Sequence, residues 1–178
     1  KASIVTGGEL RWQSIDNMLA CTTAGTVLIQ NVASPFASTR LLSAVLREAI
    51  NCGASGAFYS LSVPVGILND CSVIHSISRS HTVSFQTPQA FSRELLERYH
   101  DCKAYTFQST AEYLIHKGTH VRYVLGEETN IKITSPLDWK IARDVIAPQL
   151  GLTRKMNGLL RLDSMSLVES IEGSFDFN

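Results

Sequence analysis

An excess of charge of either sign is missing: 16 lysines and arginines balance 16 aspartates and glutamates across 178 residues. That balance removes long-range attraction to nucleic acid or an anionic membrane, while a local basic pocket for a small phosphate ligand stays open. Long apolar runs are also missing. Nothing approaches the roughly 20 residues that span a bilayer, and no signal peptide opens the chain. Cysteine is sparse, and Cys21, Cys52, Cys71 and Cys102 stand far apart with no C-x-x-C. This spacing argues against zinc and redox motifs and for reduced core thiols in a cytoplasmic protein. Of the 5 histidines, His75 and His81 read as surface or core residues rather than metal ligands. Neither G-x-G-x-x-G nor G-x-x-x-x-G-K-[ST] occurs, and no G-x-S-x-G elbow supports a serine nucleophile.

What is present is an ordinary globular composition, 44% hydrophobic and 18% charged, with length enough for one domain and a sizeable core. The chain begins at Lys1 and enters "ASIV" almost at once, as expected of a sequence cut from a longer protein.

Strand and helix signals alternate. "ASIVT" (2–6) reads as a short strand ending at Gly7-Gly8, with Ser14 capping a helix over "IDNMLACTTA". "TVLIQN" (26–31) reads as a central strand. Ser38 then caps a helix carrying Leu41, Leu42, Val45, Leu46, Ala49 and Ile50, which ends at Gly53. "GAFYSLSV" (56–63) predicts another buried strand, and residues 64–86 a hairpin-like excursion. Pro88 reads as the first residue of a helix striped by Phe91, Leu95, Leu96 and Tyr99. A short helix over 109–117, strands "THVRYVL" (119–125) and "NIKIT" (130–134), and a helix opened by Ser135-Pro136-x-Asp138 follow. Ile141, Ala142, Val145 and Ile146 continue that helix until Pro148 and Gly151 close it. This order predicts an α/β fold with a mostly parallel sheet. Residues 1–151 read as the domain and 152–178 as a C-terminal tail or linker.

In such folds ligands lie beyond the carboxyl ends of strands, which directs attention to loops 7–14, 30–38, 86–90 and 126–132. Gly7-Gly8 by itself reads as a plain turn more readily than as an anion nest. Lys132 alternates with Ile131 and Ile133, so its ammonium either snorkels to the surface or serves a site.

Three stretches carry a resemblance. "TGGELRWQSI" (6–15) is similar to G-G-x-x-R-x-x-S-V, "SFQTPQAF" (84–91) to Q-T-P-Q-x-F, and "GEETNIKITSPLDWKIA" (126–142) to G-x-x-x-N-I-K-[IV]-T-x-P-x-D-[LW]-x-x-A. In this order and spacing the chain resembles the family of 2-C-methyl-D-erythritol 4-phosphate and ribitol-5-phosphate cytidylyltransferases from about residue 2 to residue 147. The resemblance implies a Rossmann-like nucleotidyltransferase sheet with helices on both faces, and a protruding β-arm at about 62–82 that pairs two subunits in a homodimer. It implies transfer of CMP from CTP to a polyol phosphate, giving a CDP-polyol and pyrophosphate in isoprenoid or polyol-phosphate metabolism, with Mg²⁺ as the ion. Gly8, Glu9, Ser14, Asn31 and Val32 would face the nucleotide. Arg79 and Thr87 would bind the polyol phosphate, and Lys132 and Arg79 would act on the reacting phosphates. Asn31 stands at the family's metal-binding aspartate, Ser34 at an arginine, Val65 at a substrate-binding threonine, and Gln108-Ser109 at a T-D pair. The family's N-terminal glycine-rich loop has no counterpart in residues 1–178. A second reading from these departures is a catalytically impaired homologue acting as a binding or assembly module.

Overall fold

The computed structural model describes residues 2–98 and 107–152. Residues 153–178 of the predicted 152–178 tail, along with Tyr99 and Cys102, lie outside the described residues. The chain divides into two compact units, Lys1–Asn130 and Ile131–Asn178.

The first unit is built on a four-stranded sheet ordered β1-β5-β2-β6. Its strands are β1 (Thr26–Ile29), β2 (Ala54–Ser60), β5 (Val83–Ser92) and β6 (Arg122–Leu125). Between β2 and β5 lies a separate two-stranded ribbon, β3 (Val65–Asn69) with β4 (Ser72–Ile77), turned at Asp70. The excursion expected at 64–86 therefore divides into an arm and the start of a sheet strand. The sheet is mixed rather than mostly parallel. β5 runs antiparallel to both β1 and β2, while β2 and β6 are parallel. The arm causes this, because a hairpin-like excursion returns the chain along its own path, whereas a helical crossover would restore its direction.

Pro88 accordingly sits within β5, not at a helix start, and the Thr87–Pro88 bond is cis. A proline lacks a ladder N–H, and the register against β2 shifts between Gly56 and Phe58, opposite the segment that contains it. The helix that follows, α3, begins at Arg93.

Side-chain alternation sorts the core onto two faces. Ile29, Phe58 and Phe91 join Leu19 of α1 (Arg11–Ala20), Leu96 of α3 (Arg93–Arg98) and Leu114 of α4 (Thr110–His116) in one cluster. Their chain neighbours Ala57 and Ala90 turn the other way, onto Leu41, Val45 and Ala49 of α2 (Thr39–Cys52). Helices thus cover both faces, as expected. The small alanines under α2 allow close approach, and Ser55 Oγ donates to the Val45 carbonyl at 2.6 Å. Helix α2 has both predicted caps: Ser38 Oγ accepts from Leu41 N at 3.0 Å, and Gly53 adopts φ 83°.

Other local expectations shift. Residues 2–6 have no ladder partner, and Ile4 is fully exposed. A β-prone sequence becomes a strand only where a neighbour offers hydrogen bonds. Helix α1 starts before Ser14 because Gln13 Oε1 reaches back to accept from Leu10 N at 2.8 Å. Cys21, Cys52 and Cys71 are free, as expected, but exposed rather than in the core.

"NIKIT" has no ladder partner, and its residues 131–134 fall in the second unit, where Lys132 is exposed. Helix α5 (Pro136–Ile141) has its predicted cap: Ser135 Oγ accepts from Asp138 N at 3.2 Å. Asp138 Oδ2 accepts from Ser135 N at 2.8 Å and from Thr134 N at 2.9 Å. These bonds, led by that from the Thr134 backbone, hold the Asp138 carboxyl below its ordinary pKa. The chain continues through a π-helical turn, Ala142–Ile146, into α6 (Ala147–Gln149). Among the described residues no helix is long and apolar enough to cross a membrane.

Candidate functional site

Within the first unit, the sequence places a small polar set where β1 ends beside β5. Ile29 pairs with Gln89, so the chain leaving β1 passes Thr87. There Asn31 N donates to Thr87 Oγ1 at 3.2 Å, joining residues 56 positions apart. The Asn31 carbonyl accepts from Ser34 N at 3.0 Å, closing a turn. Gln30 Nε2 braces that turn by donating to the Ser34 carbonyl at 2.6 Å. Ser34 is buried and Val32 stands 95% exposed.

Further residues of this region come from "TGGELRWQSI". Gly8 N donates to Ser14 Oγ at 3.0 Å, which ties the two predicted nucleotide positions together. A Cβ at Gly8 would lie 2.2 Å from Gln13 Cβ, so only glycine fits. Glu9 is exposed. Arg11 Nη1 donates to Asn31 Oδ1 at 3.3 Å, linking this motif to the β1 loop. Burial pulls the Arg11 pKa below its ordinary value, because desolvation opposes its charge.

The Q-T-P-Q strand explains its own spacing. Gln86 pairs its amide with the backbone of Glu127: Nε2 donates to the Glu127 carbonyl at 2.9 Å, and Oε1 accepts from its N–H at 3.1 Å. A Cβ on Gly126 would sit 2.2 Å from Gln86 Oε1. The next residue, Thr87, holds Asn31 with its hydroxyl and Asn130 with its carbonyl, which accepts from Asn130 Nδ2 at 2.7 Å. Two residues on, buried Gln89 accepts from Ala111 N at 3.1 Å in the first turn of α4 and donates to the Gln86 carbonyl at 3.2 Å. Glu127 extends the network, accepting from Ser38 N at 3.1 Å and Ser38 Oγ at 2.5 Å, with Arg40 at 3.6 Å. The sequence alone did not single out Gln86, Gln89, Glu127 or Asn130. The signal for Gln86 and Gln89 is a pair of long amides within one strand, since a buried amide must find partners; Glu127 and Asn130 lie in the loop after β6 and carry no such signal.

The predicted residues do not all gather. Asn31 and Thr87 meet, whereas Arg79 lies elsewhere on the unit. It is exposed, donates to the Ser62 carbonyl at 3.3 Å, and lines a groove of about 620 Å³ with His81, Thr82 and Tyr123. Lys132 belongs to the second unit.

A divalent metal is generally expected of a nucleotidyltransferase. Among the described residues no group of three or more His, Cys, Asp or Glu could hold one. Asn31 presents a neutral oxygen already facing a guanidinium, and hard cations prefer anionic oxygen. These residues therefore do not fit a protein-held metal at Asn31.

The model of the family described as 2-C-methyl-D-erythritol 4-phosphate cytidylyltransferase matches residues 1–147. A protein of that name from Pelotomaculum thermopropionicum is 33% identical over 167 residues, covering 88% of this chain and 68% of the relative. The "Bifunctional enzyme IspD/IspF" of Oleidesulfovibrio alaskensis is 37% identical over 142 residues, covering 75% of this chain and 35% of the relative. The chain thus spans about a third of one of these relatives and two thirds of the other. The crystal structure of 2-C-methyl-D-erythritol 4-phosphate cytidylyltransferase from Thermus thermophilus superposes with a TM-score of 0.69 at 29% identity, covering 79% of this chain and 70% of that one. With its family match running from residue 1 to residue 147, the chain belongs to the 2-C-methyl-D-erythritol 4-phosphate cytidylyltransferase family.

Proposed function

We propose that the protein transfers CMP from CTP to 2-C-methyl-D-erythritol 4-phosphate, releasing pyrophosphate. The observation that carries this reading is the Asn31–Thr87 hydrogen bond, which joins the nucleotide loop to the substrate-binding strand inside the family-matched segment. A phosphate oxygen of the polyol attacks the α-phosphorus of CTP, and the pyrophosphate oxygen departs in line. The protein's part is to align the two phosphates and stabilise the charge that shifts between them. Gly8, Glu9, Ser14, Asn31 and Val32 face the nucleotide. Arg79 and Thr87 take the polyol phosphate, and Lys132 supplies positive charge to the reacting groups. Mg²⁺ enters with the triphosphate, and no step depends on a protein ligand to it.

The family match supports transfer over the assembly-module reading. We place the reaction in the cytoplasm and assign the β3–β4 arm to pairing with a second copy. Leu68, Val73 and Ile74 on that arm are each more than 60% exposed, and Leu68 pairs with Val73 across the ribbon, apolar surface that a second copy would cover. Purified protein given CTP, Mg²⁺ and either methylerythritol phosphate or ribitol 5-phosphate should release pyrophosphate with the first. No pyrophosphate from either substrate would sink the reading.

A further inference from the structure

Arg11 is the charged side chain whose surroundings least account for it. Its Nε and Nη2 are shielded from solvent without a hydrogen-bond partner, and its one bond goes to a neutral amide, Asn31 Oδ1, through Nη1. Nε and Nη2 form one edge of the guanidinium, the side-on fork that takes two oxygens of a carboxylate or phosphate in parallel. A buried donor left unmatched is costly, and more so when charged. No carboxylate within the described residues answers this fork, while the carboxylate of Glu127 is committed to Ser38 and Arg40.

We infer that Arg11 is an anion-binding residue whose side-on fork holds a phosphate group of the nucleotide. It supplies beside Asn31 the positive charge that Ser34, in the same turn, cannot. Asn31 is suited to this arrangement. Its amide oxygen steadies Nη1 yet leaves the guanidinium charge uncancelled, where a carboxylate would consume it. The Arg11–Asn31 contact, at 3.3 Å, is a weak restraint, so the half-buried side chain can turn its fork outward to meet the ligand. That the anion is a nucleotide phosphate rests on the transfer reading above; that the fork binds phosphate does not.

The test is calorimetric titration of the full chain with inorganic pyrophosphate, CTP and cytidine, in the wild type, Arg11→Met and Arg11→Lys. Pyrophosphate and CTP should each bind the wild type and weaken about tenfold or more in Arg11→Met. Arg11→Lys keeps the charge but loses the fork, and should weaken both several-fold. Cytidine, which has no phosphate, should be indifferent to either change. Pyrophosphate that fails to bind the wild type, or binds all three alike, overturns the inference. Should Arg11→Met fail to fold, Arg11→Lys decides alone, equal affinity being the adverse result. Arg11-dependent pyrophosphate binding without turnover would sink the transfer reading and leave the anion site standing. Turnover with unchanged phosphate affinity in the variants would do the reverse.

Discussion

Two polar clusters flank β5, and they are built to opposite specifications. Around Gln86, Glu127 and Asn130, bonds of 2.5 to 3.1 Å satisfy the carboxylate, both atoms of the Gln86 amide and the capped end of α2. At Arg11, a single 3.3 Å bond to Asn31 leaves two guanidinium nitrogens unmatched. In the first cluster Asn130 Oδ1 alone stays buried without a partner; the other bonds fix the backbone of loop 126–130 against the sheet. The second keeps unspent positive charge. The difference lies in charge: a lone neutral oxygen is left over in the scaffold, whereas Arg11 keeps two charged donors that a ligand's oxygens can complete.

Three substitutions should strain this contrast in descending order. Gln89→Met removes the acceptor for Ala111 N and the donor for the Gln86 carbonyl in a fully buried place. Two orphaned backbone groups should cost about 3 kcal/mol, read as a lower midpoint in chemical unfolding with an unchanged slope. Gly126→Ala pushes a methyl into Gln86 Oε1 and close to the Phe58 carbonyl. It should cost about 2 kcal/mol and increase amide exchange through loop 126–130; exchange unchanged there would show that the clamp is not what holds the loop. On the deficit side, Asn31→Asp should add stability, about 1 kcal/mol, by giving Arg11 an ionic partner. The same change should weaken pyrophosphate binding, since the charge is then spent internally. A variant that bound pyrophosphate more tightly without added metal would reverse the assignment of roles.

Much of the scaffold was legible in advance because its signals are local. Ser38 and Gly53 bound α2, Ser135-Pro136-x-Asp138 opens α5, and the turn at Asn69-Asp70 marks the arm, each within a few residues. The direction of β5 was not legible, since it depends on how the arm returns the chain. Pro88 misled for the same reason: a proline before an amphipathic stripe looks like a helix start until the strand's partners are known. "ASIVT" and "NIKIT" have β-prone composition without ladder partners. Motif comparison located Asn31 and Thr87, and the structure brings them together. It could not reveal Arg11's unmatched fork, because a missing partner is a property of three-dimensional surroundings.

The Gln86–Gly126 contact also constrains how this sequence can change over time. A side chain at 126 collides with the long amide at 86, while shortening 86 first releases loop 126–130 from both of its amide bonds. Each single step passes through a weakened intermediate, so the two positions are open to exchange only as a pair. Descendants of this sequence should therefore keep both residues or replace both, whatever happens to the substrate-facing positions around them.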